Sequence, residues 1–425
     1  MTIPSPEDSP RPEYEAYYDP EDRSFWIRAS SGAYIQCDRT HLKLKLQSLG
    51  FSTSKEGGGM SEVDVELLRI VDINHVLYAG PLAGHDAGPR KDKAGIILVT
   101  SDPCFVEPKV GGWDDLERFI SGLLGDQDVY LYGWLKIAIE SLSSGKFRPG
   151  QIMAIAGEHG SGKTLLQMLL TAFFGREAKP FRYLVGETTF NSEMFRAEHL
   201  VIGDEAAGTD IRTRRHFGKE LKQIAAELSH SCHKKRKDAF ALRPFWRCSI
   251  TLNADGENIM VLPPIDESMS DKIMLLKAMK ADYEMPDDLN SFTGWRDLLI
   301  SQLPAMAAWL MDIEIPEALK DKRYGITTYQ HPELMESLGE HAPEERMWDL
   351  IESVMFGGKD TAITVTSTHL EECLTEGNKS AAKLFSFPTA CGVYLARLAA
   401  KDDGRAVRAA ARSSWMLTSM KEVKP

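Results

Sequence analysis

Hydrophobic positions change their spacing several times along the 425 residues. Between residues 17 and 107, short β-like runs are separated by Gly-rich and polar segments, a pattern typical of strands joined by turns. From 113 to 142, apolar residues recur at helical intervals. Residues 151–253 alternate apolar strands with helical segments, which predicts a parallel sheet with helices on both of its faces.

After about residue 285 the pattern becomes mainly helical, and residues 405–416 alternate weakly like a small β wing. We therefore expect an α/β protein with four parts. These are a strand-rich N-terminal region (1–112), a helical collar (113–146), an α/β core (147–285) and a C-terminal helical, winged-helix-like domain (286–425).

Composition narrows the class of protein. With 43% hydrophobic and 26% charged residues, the chain resembles an ordinary globular protein. It has no run of eighteen apolar residues and no secretory leader pattern at its N-terminus, so we expect a cytoplasmic protein with no membrane partner. The six cysteines are far apart and form no CxxC pair, which argues against a disulfide framework or a zinc site.

Charge is unevenly distributed. The formal net charge is −12, yet residues 211–247 contain eleven Lys or Arg and three acids, a local net charge of +8. An acidic protein with one concentrated basic stretch confines its attraction for polyanions to that stretch.

A glycine loop follows the apolar strand of residues 151–156. Its sequence GEHGSGKT matches GxxxxGK[ST] at every fixed position, and a helical pattern follows it. Glycines let the backbone fold tightly and point its N–H groups at phosphates. Lys163 would bind the β- and γ-phosphates and Thr164 would bind Mg²⁺, so we expect ATP and Mg²⁺ as cofactors. The nucleotide-binding residues are Gly157, Glu158, His159, Gly160, Ser161, Gly162, Lys163 and Thr164.

Polar residues end the next two apolar strands. Residues 199–203 are followed by Asp204, a second expected Mg²⁺ ligand, and by Glu205, which would polarise the attacking water. The following strand ends at Asn253, whose amide can hydrogen-bond the γ-phosphate or that water. Acids and Asn are also common at ordinary strand ends and turns, and the glycine loop upstream favours the functional interpretation.

Between these two strands lies a basic segment. It can bind phosphates and stack on bases, although a solvated charged loop is the alternative interpretation. Its expected DNA-binding residues are His233, Lys234, Lys235, Arg236, Lys237 and Phe240.

Four segments resemble motifs A, B, B′ and C of superfamily 3 helicases, in particular the helicase part of phage, plasmid and poxvirus-type primase–helicases. In chain order they are GEHGSGKT, HLVIGDE, LKQIAAE with HKKRKDAF, and ITLN. The motifs cover roughly residues 150–275. The resemblance implies an AAA+ P-loop ATPase core, a ring that is usually hexameric, and 3′→5′ translocation on DNA. It also implies that the basic segment faces the central channel.

One feature departs from the family pattern. The family usually has an arginine finger after motif C, whereas this chain has Lys272, a point charge rather than a planar fork. Arg247, Arg243 and the cluster at 212, 214 and 215 are alternatives. The predicted catalytic residues are Lys163, Asp204, Glu205, Asn253, Lys272 and Arg247. Residues 1–145 carry no primase signature, so priming would need a separate primase or polymerase.

The leading hypothesis is an ATP-dependent DNA helicase or translocase of the superfamily 3 type that takes part in the replication of a virus, phage or mobile element. It would act on single-stranded or forked DNA as a homo-oligomer. An AAA+ switch that loads or senses DNA without unwinding it would carry the same ATP motifs. A small-molecule kinase is a third possibility, opposed by Glu205 beside Asp204 and by the basic segment.

Overall fold

The computed structural model describes most of the chain. The described residues are 13–55, 58–92, 94–203, 211–235, 239–254, 259–263, 265–280, 288–340, 342–356, 362–376, 384–385, 388–409 and 414–419.

Two small sheets and two helices form the N-terminal part. The first sheet is antiparallel and contains β1 (Ala16–Asp19), β2 (Ser24–Arg28) and β3 (Tyr34–Cys37), in that order. Helices α1 (Arg39–Ser48) and α2 (Glu62–Ile73) begin after Asp38 and Ser61, whose side chains accept hydrogen bonds from the first-turn N–H groups. The second sheet has the order β4-β6-β5, formed by β4 (Val76–Gly80), β5 (Gly88–Asp92) and β6 (Gly95–Val99).

Helices α3 (Asp114–Leu124) and α4 (Asp128–Ser144) follow. The buried side chains of α3 lie at intervals of three and four residues, the spacing that places them on one face. Helix α4 ends at Gly145, whose φ of +62° is the left-handed conformation that commonly terminates helices.

A five-stranded parallel sheet forms the centre of the protein. Its strands are β7 (Ile152–Gly157), β8 (Glu177–Ala178), β9 (His199–Ile202), β12 (Arg247–Asn253) and β13 (Ile273–Ala278), in the order β13-β7-β12-β9-β8. The helices between these strands are α5 (Lys163–Phe174), α6 (Phe181–Leu184) and α7 (Ile211–Ala226). Strands β10 (His230–Cys232) and β11 (Phe240–Leu242) form a separate antiparallel hairpin. The predicted α/β class and parallel sheet are confirmed.

Alternate residues of β7 point into two different cores. Met153 and Ile155 belong to a cluster that includes α3, α4, α5 and the long helix α8 (Leu289–Asp312). Ile152, Ala154 and Ala156 belong to a second cluster, which contains residues of α6, α7 and β4. Both faces of the sheet are therefore covered, as the uninterrupted burial of β7 and β9 requires.

The C-terminal part has its own apolar cluster, which includes Met347, Leu370, Tyr394 and Trp415. Its elements are α9 (Pro332–Glu340), α10 (Pro343–Ile351), a π-helical turn (Glu352–Phe356), β14 (Ala362–Thr366), α11 (Ser367–Thr375), α12 (Ala390–Ala400), β15 (Ala406–Arg408) and β16 (Ser414–Thr418). The three strands form an antiparallel sheet in the order β14-β16-β15.

Within the described residues, no helix has the length and apolar character needed to cross a membrane. In the same residues, no group of three His, Cys, Asp or Glu side chains is arranged to hold a metal ion. All six cysteines are free thiols.

Candidate functional site

The glycine loop connects the carboxyl end of β7 to the first residue of α5. Gly160 and Gly162 have φ values of +75° and +103°, which other residues adopt only with strain. A Cβ on Gly157 would lie 2.6 Å from the carbonyl oxygen of Ala278 on β13. These positions require glycine because the turn is tight and the neighbouring strand is close.

Lys163 is the first residue of α5, and its side chain contacts the glycine loop. Its Nζ donates hydrogen bonds to the carbonyl oxygens of Gly157 at 2.8 Å and Glu158 at 2.7 Å. It also lies 3.4 Å from Oδ1 of Asn253. Asn253 is the last residue of β12 and pairs in register with Gly157. Two residues 90 positions apart, both predicted for the site, are thus brought together at the carboxyl edge of the sheet.

A cavity of about 330 Å³ opens at this edge. It is lined by residues 159–165, by Thr251 and Asn253 of β12, and by Phe292 in the first turn of α8. Phe292 is not predicted from the sequence, because a single Phe at a helix start 128 positions after Thr164 gives no local signal.

The lining fits a nucleoside triphosphate and a divalent cation. The loop N–H groups lie at the N-terminus of α5, where the helix dipole favours anions. Thr164 is exposed and offers its hydroxyl as a metal ligand. The Oγ of Ser161 is buried without a hydrogen-bond partner in the described structure, as expected of a loop built to surround a polar ligand.

The predicted acids Asp204 and Glu205 lie outside the described residues. The strand that precedes them in the sequence, β9, pairs in parallel with β12, the strand that carries Asn253.

Arg247 and Lys272, predicted as finger residues, lie at the amino ends of β12 and β13, opposite to the cavity. Arg247 is 4% exposed, and its Nη1 donates to the carbonyl oxygens of Arg148 and Trp246. Burial lowers the pKa of Arg247 to about 10. Lys272 is 7% exposed and pairs with Asp271. A finger must reach the nucleotide of a neighbouring subunit, and neither side chain has the exposure for that, so we leave both out of the proposed site.

The other finger alternatives also differ in accessibility. Arg243 is exposed. Arg214 donates to the carbonyl oxygen of Leu262 at 3.1 Å, and burial lowers its pKa. The side chains of Arg212 and Arg215 lie outside the described residues.

The basic segment lies in the sequence next to the paired strands β10 and β11: its described residues His233, Lys234 and Lys235 follow β10, and Arg236 and Lys237 lie outside the described residues. Asn191 holds the hairpin in place through three hydrogen bonds. Its Oδ1 accepts from the N–H of His233 at 2.7 Å, its Nδ2 donates to Ser231, and its own N–H donates to the carbonyl oxygen of His233.

Next to Asn191, Phe190 is 43% exposed, and its ring centroid lies 5.6 Å from that of His233. The exposed Phe190, the half-buried His233 and the exposed Lys235 have the composition of a base-stacking surface. Phe190 is not predicted from the sequence, because its contact with His233 spans 43 positions. The one local signal was a lone aromatic in the polar run GETTFNSE.

Lys234 and Phe240 contact the N-terminal part of the chain. Nζ of Lys234 lies 4.6 Å from the ring centroid of Tyr78, and the rings of Phe240 and Tyr78 are 5.9 Å apart. His85 adds a hydrogen bond of 2.6 Å between Nε2 and the carbonyl oxygen of Arg243. Phe240 therefore packs against Tyr78 at the loop end of the hairpin, where it pairs with Cys232, whereas the sequence pattern predicted that it contacts DNA.

Comparison with known proteins adds one family model and several structures. A model described as a family of unknown function (DUF5906) matches residues 155–268. The structure of the NrS-1 C-terminal region (305–718) has a TM-score of 0.54 and 12% identity, with 95% of this chain and 96% of that chain covered. The chain therefore has the fold of the NrS-1 C-terminal region. The resemblance indicated by the four motifs is thus confirmed at that level.

Two other structures have lower scores. The SCCmec type IV Cch structure, described as an active helicase, has a TM-score of 0.44 and 11% identity over 95% of this chain and 92% of that chain. The JCV helicase structure has a TM-score of 0.27 and 14% identity over 58% and 63%. Scores this low carry no argument about function. No curated protein matches the chain by sequence.

Proposed function

We propose that the chain is a Mg²⁺-dependent ATPase of the superfamily 3 helicase type, which couples hydrolysis to movement along single-stranded or forked DNA. The observation that carries the proposal is the meeting of Lys163 and Asn253 at a cavity bounded by a glycine loop. This arrangement suits a phosphate chain at the carboxyl edge of a parallel sheet.

In this proposal each residue has a distinct task. Nζ of Lys163, which now bonds two loop carbonyls, would turn to the β- and γ-phosphate oxygens. Thr164 and Asp204 would hold Mg²⁺, which when bound offsets the negative charge of the phosphates. Glu205 would orient and polarise the attacking water, and the amide of Asn253 would hydrogen-bond the γ-phosphate or that water.

The hairpin would contact the nucleic acid. Phe190 and His233 offer rings for stacking, while Lys235, with Arg236 and Lys237, offers charge for phosphates. We further propose an AAA+ ring in which the neighbouring subunit supplies a cation to each nucleotide. The C-terminal order α10-β14-α11-α12-β15-β16, with the sheet order β14-β16-β15, supports a winged-helix-like unit there.

The decisive experiment measures ATP hydrolysis with and without single-stranded DNA. The variants are Lys163→Ala and the triple change Lys235/Arg236/Lys237→Ala, which leaves the Lys234–Tyr78 contact intact. The matched control is Arg118/Lys179/Lys320→Ala, which removes three exposed cations elsewhere.

We expect Lys163→Ala to abolish hydrolysis. The hairpin variant should keep basal turnover and lose stimulation by DNA, whereas the control keeps both. Wild-type turnover that is indifferent to DNA would refute the motor. Stimulated turnover without strand displacement on a forked substrate would instead favour an AAA+ loader or sensor.

A further inference from the structure

A buried amide on the loop helix α5 reaches two neighbouring strands. Gln167 lies one turn after Lys163 and is 6% exposed. Its Nε2 lies 3.0 Å from the carbonyl oxygen of Ile202 on β9 and 2.9 Å from Oγ of Ser249 on β12. Its Oε1 lies 3.4 Å from Oγ1 of Thr251, also on β12. One side chain thus bonds to both strands.

These bonds continue through His199 into a series of hydrogen bonds, here called the directed chain, in which each donor and acceptor is fixed. Burial lowers the pKa of His199 to about 3, so its ring is neutral and has one donor and one acceptor. Ser249 Oγ accepts from Gln167, so its own proton is directed to Nε2 of His199 at 2.8 Å. Nδ1–H of His199 then donates to Oγ1 of Thr171 at 2.9 Å, and Thr171 donates to Glu177 at 3.2 Å.

The near end of this chain leads to the proposed catalytic residues. Ile202 is two residues before Asp204 in the sequence, and Thr251 is two residues before Asn253. Residues two apart on a strand share a face, and Thr251 and Asn253 both line the cavity. Gln167 therefore lies on the helix that begins with Lys163 and hydrogen-bonds to β9, which precedes Asp204 in the sequence, and to β12, which ends at Asn253.

We propose that Gln167 is a positioning residue, which holds α5, β9 and β12 in one fixed relation. The inference rests on the proposed ATPase function. Loss of the Gln167 hydrogen bonds should reduce turnover and leave ATP affinity unchanged, because Gln167 does not line the cavity and the loop N–H groups remain in place. Misplacement of reacting groups by about 1 Å is enough to reduce a rate about 100-fold.

The test compares Gln167→Met, which keeps the length of the side chain and removes all of its hydrogen bonds, with Thr171→Val, which breaks the chain at its far end. We expect kcat to fall about 10- to 100-fold in Gln167→Met, with the Kd of a fluorescent ATP analogue within about threefold of wild type. Thr171→Val should keep the wild-type kcat. Thermal unfolding measured on each variant establishes that it is folded.

Gln167→Glu provides a second readout with nearly unchanged shape. When the new Glu side chain is ionised, its carboxylate faces the carbonyl oxygen of Ile202 and cannot donate a hydrogen bond to it. When the side chain is protonated, its O–H can donate that hydrogen bond again. Its kcat relative to wild type should therefore rise from pH 8 to pH 6, and a purely structural role would give a constant ratio.

The outcomes separate the two proposals. A folded Gln167→Met with kcat within twofold of an active wild type, or a constant Gln167→Glu ratio, would overturn the positioning role alone. A wild type that neither binds nor hydrolyses ATP would overturn the proposed function.

Discussion

The carboxylate of Glu198 is fully buried and lies 3.0 Å from Nη2 of Arg176. The same carboxylate accepts a hydrogen bond of 3.0 Å from the N–H of Gly84, and Arg176 donates through Nη1 to Ser101. Glu198 directly precedes β9, while Gly84 and Ser101 belong to the N-terminal part. The N-terminal part is thus attached to the central sheet through hydrogen bonds to this ion pair and not through apolar contacts alone.

Replacing Arg176 with Met should lower the free energy of unfolding by about 3–5 kcal/mol, because it leaves the buried charge of Glu198 without a counter-ion. Urea unfolding measures the change. Arg182→Met is the matched control, since Arg182 pairs with Glu187 at the surface, with 77% and 58% of the two side chains exposed. The control should change stability by less than about 1 kcal/mol. Equal losses in both variants would contradict the buried-pair account.

Phe190→Ala should weaken binding of single-stranded DNA about 5- to 150-fold, the loss expected for one base–aromatic stack. Fluorescence anisotropy with a labelled oligonucleotide measures it. The loss should persist at raised salt, since stacking is not screened as phosphate contacts are. Val110→Ala, at a side chain that is 93% exposed, is the control and should bind like wild type. Wild-type affinity in Phe190→Ala would exclude a stacking role.

Phe292→Ala should raise KM for ATP about tenfold with kcat unchanged, because it removes binding that substrate and transition state share. In the proposed complex, the loop N–H groups and Lys163 bind the phosphates of ATP, and the apolar lining from Leu165 and Phe292 contacts the adenine base. Steady-state hydrolysis measures both constants. Leu298→Ala on the same helix is 44% exposed, lies outside the cavity and serves as the control. A change in kcat alone would contradict this assignment.

The features that could be predicted from the sequence are those formed by residues close to one another along the chain. The glycine loop needs glycine at positions with positive φ, and the buried strands need continuous apolar runs, so both are visible locally. Phe190 and Phe292 were missed because each gains its meaning from contacts with residues distant in sequence. The finger predictions failed to anticipate burial for a similar reason. Arg247 begins β12 and Lys272 directly precedes β13, and charge alone does not reveal that a strand start is enclosed by the fold.

His199 makes the stability of the fold depend on pH. Burial lowers its pKa to about 3 in the folded protein, against about 6.5 in an unfolded chain. Below pH 6.5 the unfolded state therefore binds a proton that the folded state does not, and stability is lost as the pH falls toward 3. Between pH 7 and pH 5 the loss from this residue amounts to about 2 kcal/mol.

The variant His199→Gln removes this titration. Its stability deficit relative to wild type, measured by urea unfolding, should shrink by about 2 kcal/mol between pH 7 and pH 5, because only wild type pays for keeping the ring neutral. His41→Gln, at an exposed position in α1, should leave the pH dependence as it is in wild type. A deficit of the same size at both pH values would mean that His199 is protonated in the folded protein. Its Nε2 would then be a donor, and the directed chain from Gln167 to Glu177 would have to run differently.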